Sequence, residues 1–195
     1  MALKKKHLFI PTVVSRVLDP PILLSILTMI GVFKSDISQK GFVVLGILLP
    51  LFSGVPLVFF FWLLKTRRIH DIDISNRKER IGPLLGLLVL FLIDIIVISF
   101  FDNPFLLHMF FLYFFWTLGF FLITLFWKIS GHTGVLTLAG GMLVQWFGSF
   151  VLALFPLILL VAWARVVRKD HTPLQVFAGA LYSLIILAIF SYWVY

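Results

Sequence analysis

The sequence predicts an all-α fold, a polytopic transmembrane bundle of six to seven helices that forms a single integral membrane domain over residues 1–195. Three observations predict it. Of the 195 residues, 62% are hydrophobic and only 12% are charged, with a mean hydropathy of +1.13, whereas a soluble domain carries roughly 25% charged residues. The apolar residues fall in runs that approach or exceed the ~20 needed to span a bilayer. The basic residues collect between those runs, the pattern that orients membrane helices. The absence of Cys excludes disulfide scaffolds and zinc ribbons. On so apolar a chain, the net charge of +8 speaks of topology rather than of a nucleic-acid partner.

Residues 1–19 read as an interfacial N-terminal segment. Lys4-Lys5-Lys6 precede Leu8, Phe9, Ile10, Val13, Val14, Val17 and Leu18 at near-helical spacing. Arg16, Asp19 and Pro20-Pro21 replace the cleavage site of a secretory signal, so the segment is an uncleaved helix lying in the membrane surface. Apolar runs follow at roughly 20–33, 42–64, 84–101, 105–127 and 174–195, the first of them short. The stretch 133–164 is either one long helix or two short ones. Gly140-Gly141, Gln145 and Gly148-Ser149 interrupt it, and each half would reach about 22–24 Å.

Charge decides between the two. A hairpin turning near Gly148-Ser149 puts the N-terminus, the 65–83 loop, 128–132 and 165–171 on one face. That face then holds 14 of the 16 Lys and Arg residues, with Lys34 and Lys40 opposite. A single helix would carry Arg165, Arg168 and Lys169 across. The positive-inside rule selects the hairpin and makes the shared face cytoplasmic.

Three polar clusters lie on that face: 70–83, which includes Arg77, Lys78 and Arg80; Lys128-Ile129-Ser130-Gly131-His132-Thr133-Gly134; and 165–175, from Arg165 through His171 to Gln175. Cations and two histidines at one membrane depth suit an anion, and phosphate fits, with helix N-termini near Thr133 and Pro173 adding N–H donors. Structural readings stand beside this one. Loop Lys and Arg residues set topology, an interfacial His caps or is solvated, and Ser130-Gly131 starts a helix. Thr172-Pro173-Leu174-Gln175 has the form of a capping box with Pro at the first helical position. Asp71 and Asp73 either bind a metal or balance the charge of Arg77 and Lys78.

The spacing of the last two clusters resembles the type-2 phosphatidic acid phosphatase superfamily, which also includes vanadium haloperoxidases. That family's second motif is Pro-Ser-Gly-His, and this chain has Ile129-Ser130-Gly131-His132. Its third is Ser-Arg, five residues, His, three residues, Asp. Here Ala164-Arg165 is followed by His171 and then Gln175. The resemblance covers roughly 77–185. The family's first motif, Lys-x6-Arg-Pro, is absent; Arg80 and Pro83 are separated by Ile81-Gly82, and Arg77, Lys78 and Arg80 match it by location only. Ala164 stands where the family has Ser, and Gln175 where it has Asp.

The resemblance implies a phosphatidic acid phosphatase-like bundle that hydrolyses a lipid-linked phosphate or diphosphate without metal or cofactor. His171 would attack phosphorus, and His132 would protonate the leaving oxygen and later activate water. Arg165, Arg80, Arg77, Lys78 and Lys128, with the Ser130 hydroxyl and the Gly131 N–H, would hold the phosphate oxygens. Gln175 would orient His171, as a neutral group where the family has a charged one. With no soluble domain above the membrane, the expected partners are a membrane lipid substrate and the bilayer. Two other classes remain open: a non-catalytic member that binds anionic lipid or a partner, and a lipid phosphoryl or alcohol-phosphate transferase.

Overall fold

The structure is a computed structural model that describes residues 8–35, 55–74 and 76–191. Lys4-Lys5-Lys6, Lys40 and the first part of the 42–64 run lie outside the described residues. Among those described, all regular structure is helical. Five stretches are long and apolar enough to cross a membrane: Phe9–Lys34, Arg77–Ser99, Pro104–Phe126, Ser149–Val167 and Pro173–Ser191. The chain is therefore compatible with a multi-pass integral membrane protein. It divides into two compact units, residues 1–24 with 129–195, and residues 25–128.

The helices are α1 (Phe9–Val17), α2 (Pro20–Lys34), α3 (Val55–Lys65), α4 (Ile81–Ser99), α5 (Pro104–Phe126), α6 (Gly131–Phe147), α7 (Phe155–Val167) and α8 (Pro173–Ser191), with 3-10 turns at Arg77–Arg80 and Ser149–Leu154. The predicted runs at 84–101 and 105–127 appear as α4 and α5, offset by one to three residues, and the described part of 174–195 appears in α8, residues 192–195 lying outside the described residues. Leu18 and Asp19 separate α1 from α2, and Pro20 opens the second helix, where its missing N–H costs nothing.

In the 25–128 unit, α4 and α5 form an antiparallel pair. Asn103 caps α5 by accepting from the Leu106 N–H at 3.0 Å, with Pro104 in the first turn. The packed face of α4 carries Leu88, Phe91, Asp94 and Ile98. Phe91 meets Phe110 and Tyr113 at ring-centroid distances of 6.4 and 5.7 Å. Asp94 is the exception on this apolar face, fully buried with neither carboxylate oxygen hydrogen-bonded.

In the other unit, the stretch 133–164 is not one helix. It breaks at Gly148, whose φ of 99° is open to glycine and costly for any other residue, and continues through the Ser149–Leu154 turn into α7. This is the interruption expected from Gly148-Ser149. Helix α6 packs most extensively on α8 and α1 packs on α7. The α6–α8 contact is close because both helices present small residues. Ser183 donates to the Gly134 carbonyl at 2.7 Å and Thr133 to the Val176 carbonyl at 3.0 Å. A Cβ on Gly179 would overlap the Ser130 carbonyl oxygen, and one on Gly141 would overlap the end of Leu187. Only glycine at 179 lets the start of α6 lie this near α8.

Candidate functional site

Ser130, Gly131, His132, Arg165, His171 and Gln175 all belong to the unit formed by 1–24 and 129–195. Arg165 sits in the last turn of α7, where a cation complements the exposed carbonyls of the helix end. It is the largest fully buried side chain of the described residues, 1% exposed. Beyond it α7 closes in a Schellman motif. The Lys169 N–H donates to the Val166 carbonyl at 2.9 Å, and the Asp170 N–H to the Arg165 carbonyl at 3.1 Å. Lys169 takes the left-handed position, φ 62°, usually held by glycine.

That turn folds the chain back and brings Asp170 onto the arginines. Asp170 Oδ2 lies 3.2 Å from an Arg165 terminal nitrogen and 3.0 Å from Arg168 Nε. The next residue, His171, is buried, and its own N–H donates to the Arg165 carbonyl at 3.3 Å. One turn thus sets the positions of Arg165, Asp170 and His171 together.

The start of α8 then fixes the His171 ring. The Thr172 N–H donates to Gln175 Oε1 at 3.1 Å and the Gln175 N–H to Thr172 Oγ1 at 3.3 Å. This is the capping box expected from the sequence. Because a backbone N–H can only donate, the bond to Thr172 identifies Oε1 as the amide oxygen at that point. His171 Nδ1 lies 3.2 Å from the same oxygen, so Nδ1 carries the proton and Nε2 the lone pair. Gln175 is at once the cap of α8 and the group that sets the His171 tautomer.

The Gln175 carbonyl in turn accepts from the Ser130 N–H at 3.1 Å, tying the start of α8 to the start of α6. Ser130 is fully buried and caps α6, its Oγ accepting from the Thr133 N–H at 3.4 Å. Gly131 and His132 are the first two residues of that helix. The His132 ring is buried, and its Nε2 lies 3.0 Å from Asp19 Oδ1 in the link between α1 and α2. Neither Asp19 nor Asp170 is picked out by motif spacing, because their partners are set by the fold. One signal was present: Asp19 is the sole acid among the first 35 residues, in a segment otherwise apolar and basic.

The remaining cations of the expected set, Arg77, Lys78, Arg80 and Lys128, belong to the 25–128 unit. There Arg77 donates to the Thr124 carbonyl at 3.4 Å and to the Leu125 carbonyl, closing the end of α5. Arg80, 8% exposed, donates from Nε to the Ile74 carbonyl at 2.9 Å. The Lys78 N–H is held by Asn76 Oδ1 at 3.1 Å while its side chain is exposed. Glu79 gathers the same loop, accepting from the His70 N–H and from Asn76 Nδ2, each at 2.9 Å. Lys128 follows α5 by two residues, in the extended segment that leads to α6.

Within the unit formed by 1–24 and 129–195, the end of α7, the turn before α8, the start of α6 and the N-terminal segment carry a buried guanidinium, a histidine of fixed tautomer and a second histidine paired with a carboxylate. Comparison with protein-family models, with curated proteins and with solved structures returned no match.

Proposed function

We propose that the protein is an integral membrane phosphatase of the type-2 phosphatidic acid phosphatase kind, acting on a lipid-linked phosphate or diphosphate through a phosphohistidine. The observation that carries this reading is the hold of Gln175 Oε1 on His171 Nδ1 at 3.2 Å, beside the buried Arg165. It leaves Nε2 of an otherwise constrained imidazole with its lone pair, as an in-line nucleophile requires.

In the first step the His171 Nε2 lone pair forms a bond to phosphorus. The phosphorus–oxygen bond to the lipid breaks, its electron pair leaves with the oxygen, and that oxygen takes a proton from His132. In the second, His132, now neutral, takes a proton from water as the water oxygen bonds to phosphorus. The phosphorus–nitrogen bond breaks and its electrons return to His171. Arg165 carries the charge of the equatorial oxygens, and the α6 N-terminus at Ser130 and Gly131 adds donors where charge develops. In the topology that the charges select, the site lies at a membrane face, which suits a headgroup already held in the bilayer. The cytoplasmic side of that face follows from the charge count alone.

Gln175 supports a second reading. It orients His171 but gives the phosphorylated ring no countercharge, which favours a slow enzyme, or a protein that keeps the anion site for binding alone.

Phosphate release from a panel of lipid phosphates and diphosphates by purified protein in detergent, without added metal, tests the proposal. Turnover that disappears in His171→Ala and His132→Ala is expected. A correctly folded wild type that binds anionic lipid but releases no phosphate contradicts it.

A further inference from the structure

We propose that Asp19, in the link between α1 and α2, is the positioning residue that keeps His132 in its cationic form, so that the N-terminal segment supplies part of the site. The inference rests on the phosphatase reading for its catalytic meaning and on the geometry alone for the ion pair itself.

His132 needs such a partner because its surroundings oppose a charge. Its side chain is 9% exposed, and burial disfavours the imidazolium. It is the second residue of α6, at the positive end of the helix dipole, where a cation is unfavourable. Among the described residues of this unit, the other titratable and charged groups on the surrounding segments are Arg16 on α1, Arg165 on α7, Arg168, Lys169, Asp170 and His171 in the turn after it, and Tyr182 on α8. The four Arg and Lys residues add positive charge. Asp170 is engaged by Arg165 and Arg168, at 3.2 and 3.0 Å. Asp19, with Oδ1 at 3.0 Å from His132 Nε2, supplies the opposing charge.

The fold holds Asp19 there from both sides. On one side α1 packs on α7, the helix that carries Arg165; on the other Pro20 begins α2 directly after it. The unit therefore distributes its side-chain partners unequally. The nucleophile His171 has a neutral one, Gln175, and the acid His132 has a charged one. Asp19 acts through the ion pair. Its role is to keep a proton on the imidazole until the leaving oxygen removes it.

The test is a histidine titration by NMR on isotopically labelled full-length protein in nanodiscs, with His132 assigned by His132→Gln. In Asp19→Asn the His132 midpoint is expected to fall by about one to two pH units, and Asp19→Glu is expected to restore most of it. The alkaline limb of the pH–rate profile should move down with it in Asp19→Asn. An unchanged His132 midpoint in Asp19→Asn overturns the proposal, as does a midpoint in Asp19→Glu that stays as low as in Asp19→Asn. A midpoint that moves in a protein with no turnover on any lipid phosphate supports the ion pair and counts against the phosphatase reading, so the two failures are told apart.

Discussion

Gln175 Oε1 stands 3.2 Å from His171 Nδ1 while accepting the Thr172 N–H at 3.1 Å. One oxygen thus serves a helix cap and a histidine tautomer, and substitutions at 175 separate the two roles. Glu is an equally good capping-box residue at this position and brings a charge to the ring. Gln175→Glu should therefore leave stability within about 0.5 kcal/mol of the wild type and raise turnover. Gln175→Leu should lose the cap, about 1 kcal/mol, together with nearly all activity. Thermal unfolding read beside phosphate release checks both.

Asp170 is an internal anion on the arginine pair. Removing it leaves Arg165, at 1% exposure, without its carboxylate, and breaking a buried pair costs about 3–5 kcal/mol. Asp170→Asn should accordingly unfold at a lower temperature. Inorganic phosphate should recover much of that loss, since a ligand at one hundred times its Kd stabilises by about 2.7 kcal/mol. The expected signature is a larger phosphate-induced rise in Tm for the variant than for the wild type. Equal rises would show that phosphate does not use Arg165.

Glycines on α6 and α8 differ sharply in what they tolerate. A Cβ at Gly179 would meet the Ser130 backbone carbonyl as well as Thr133 Oγ1, the latter at 2.9 Å, whereas one at Gly140 meets nothing within 4 Å. Backbone cannot yield as a side chain does. Gly179→Ala should destabilise by about 1–3 kcal/mol, and Gly140→Ala, in mid-helix, should stabilise by about 0.5–1 kcal/mol. Thermal unfolding in detergent gives the sign of each.

Asp94 is buried in the α4–α5 pair with both oxygens unbonded, and a buried polar group without a partner costs about 1–3 kcal/mol. Replacing it by an apolar residue that fits the α4 face, Asp94→Val, should raise the unfolding temperature. A fall would contradict the burial argument and point to a use for the carboxyl.

Much of this architecture was legible in the chain because the cues are local. Helix limits follow the apolar runs, Asn103-Pro104 and Thr172-Pro173 announce their helices, and Gly148-Ser149 marks the break between α6 and α7. Motif spacing brought out Arg165, His171 and Gln175 for the same reason: one helix end and the next helix start hold them within a single turn. The pairing of Asp19 with His132 was hidden because it joins residues far apart in sequence and depends on how α1 packs. Asp170 was visible as a neighbour of His171, but its direction is decided by the left-handed turn at Lys169, which an ordinary lysine does not signal. In the 65–83 loop the sequence displayed cations without showing that Arg77 and Arg80 donate to backbone carbonyls.

Rapid quenching at alkaline pH followed by peptide mass spectrometry would reveal a covalent phosphoryl group on His171. A lipid phosphate with a good leaving group should label the His171 peptide transiently in the wild type. The label should persist in His132→Ala, where water is no longer activated, and vanish in His171→Ala. Steady turnover with the phosphoryl group on another residue, or with none trapped in His132→Ala, would contradict the phosphohistidine reading.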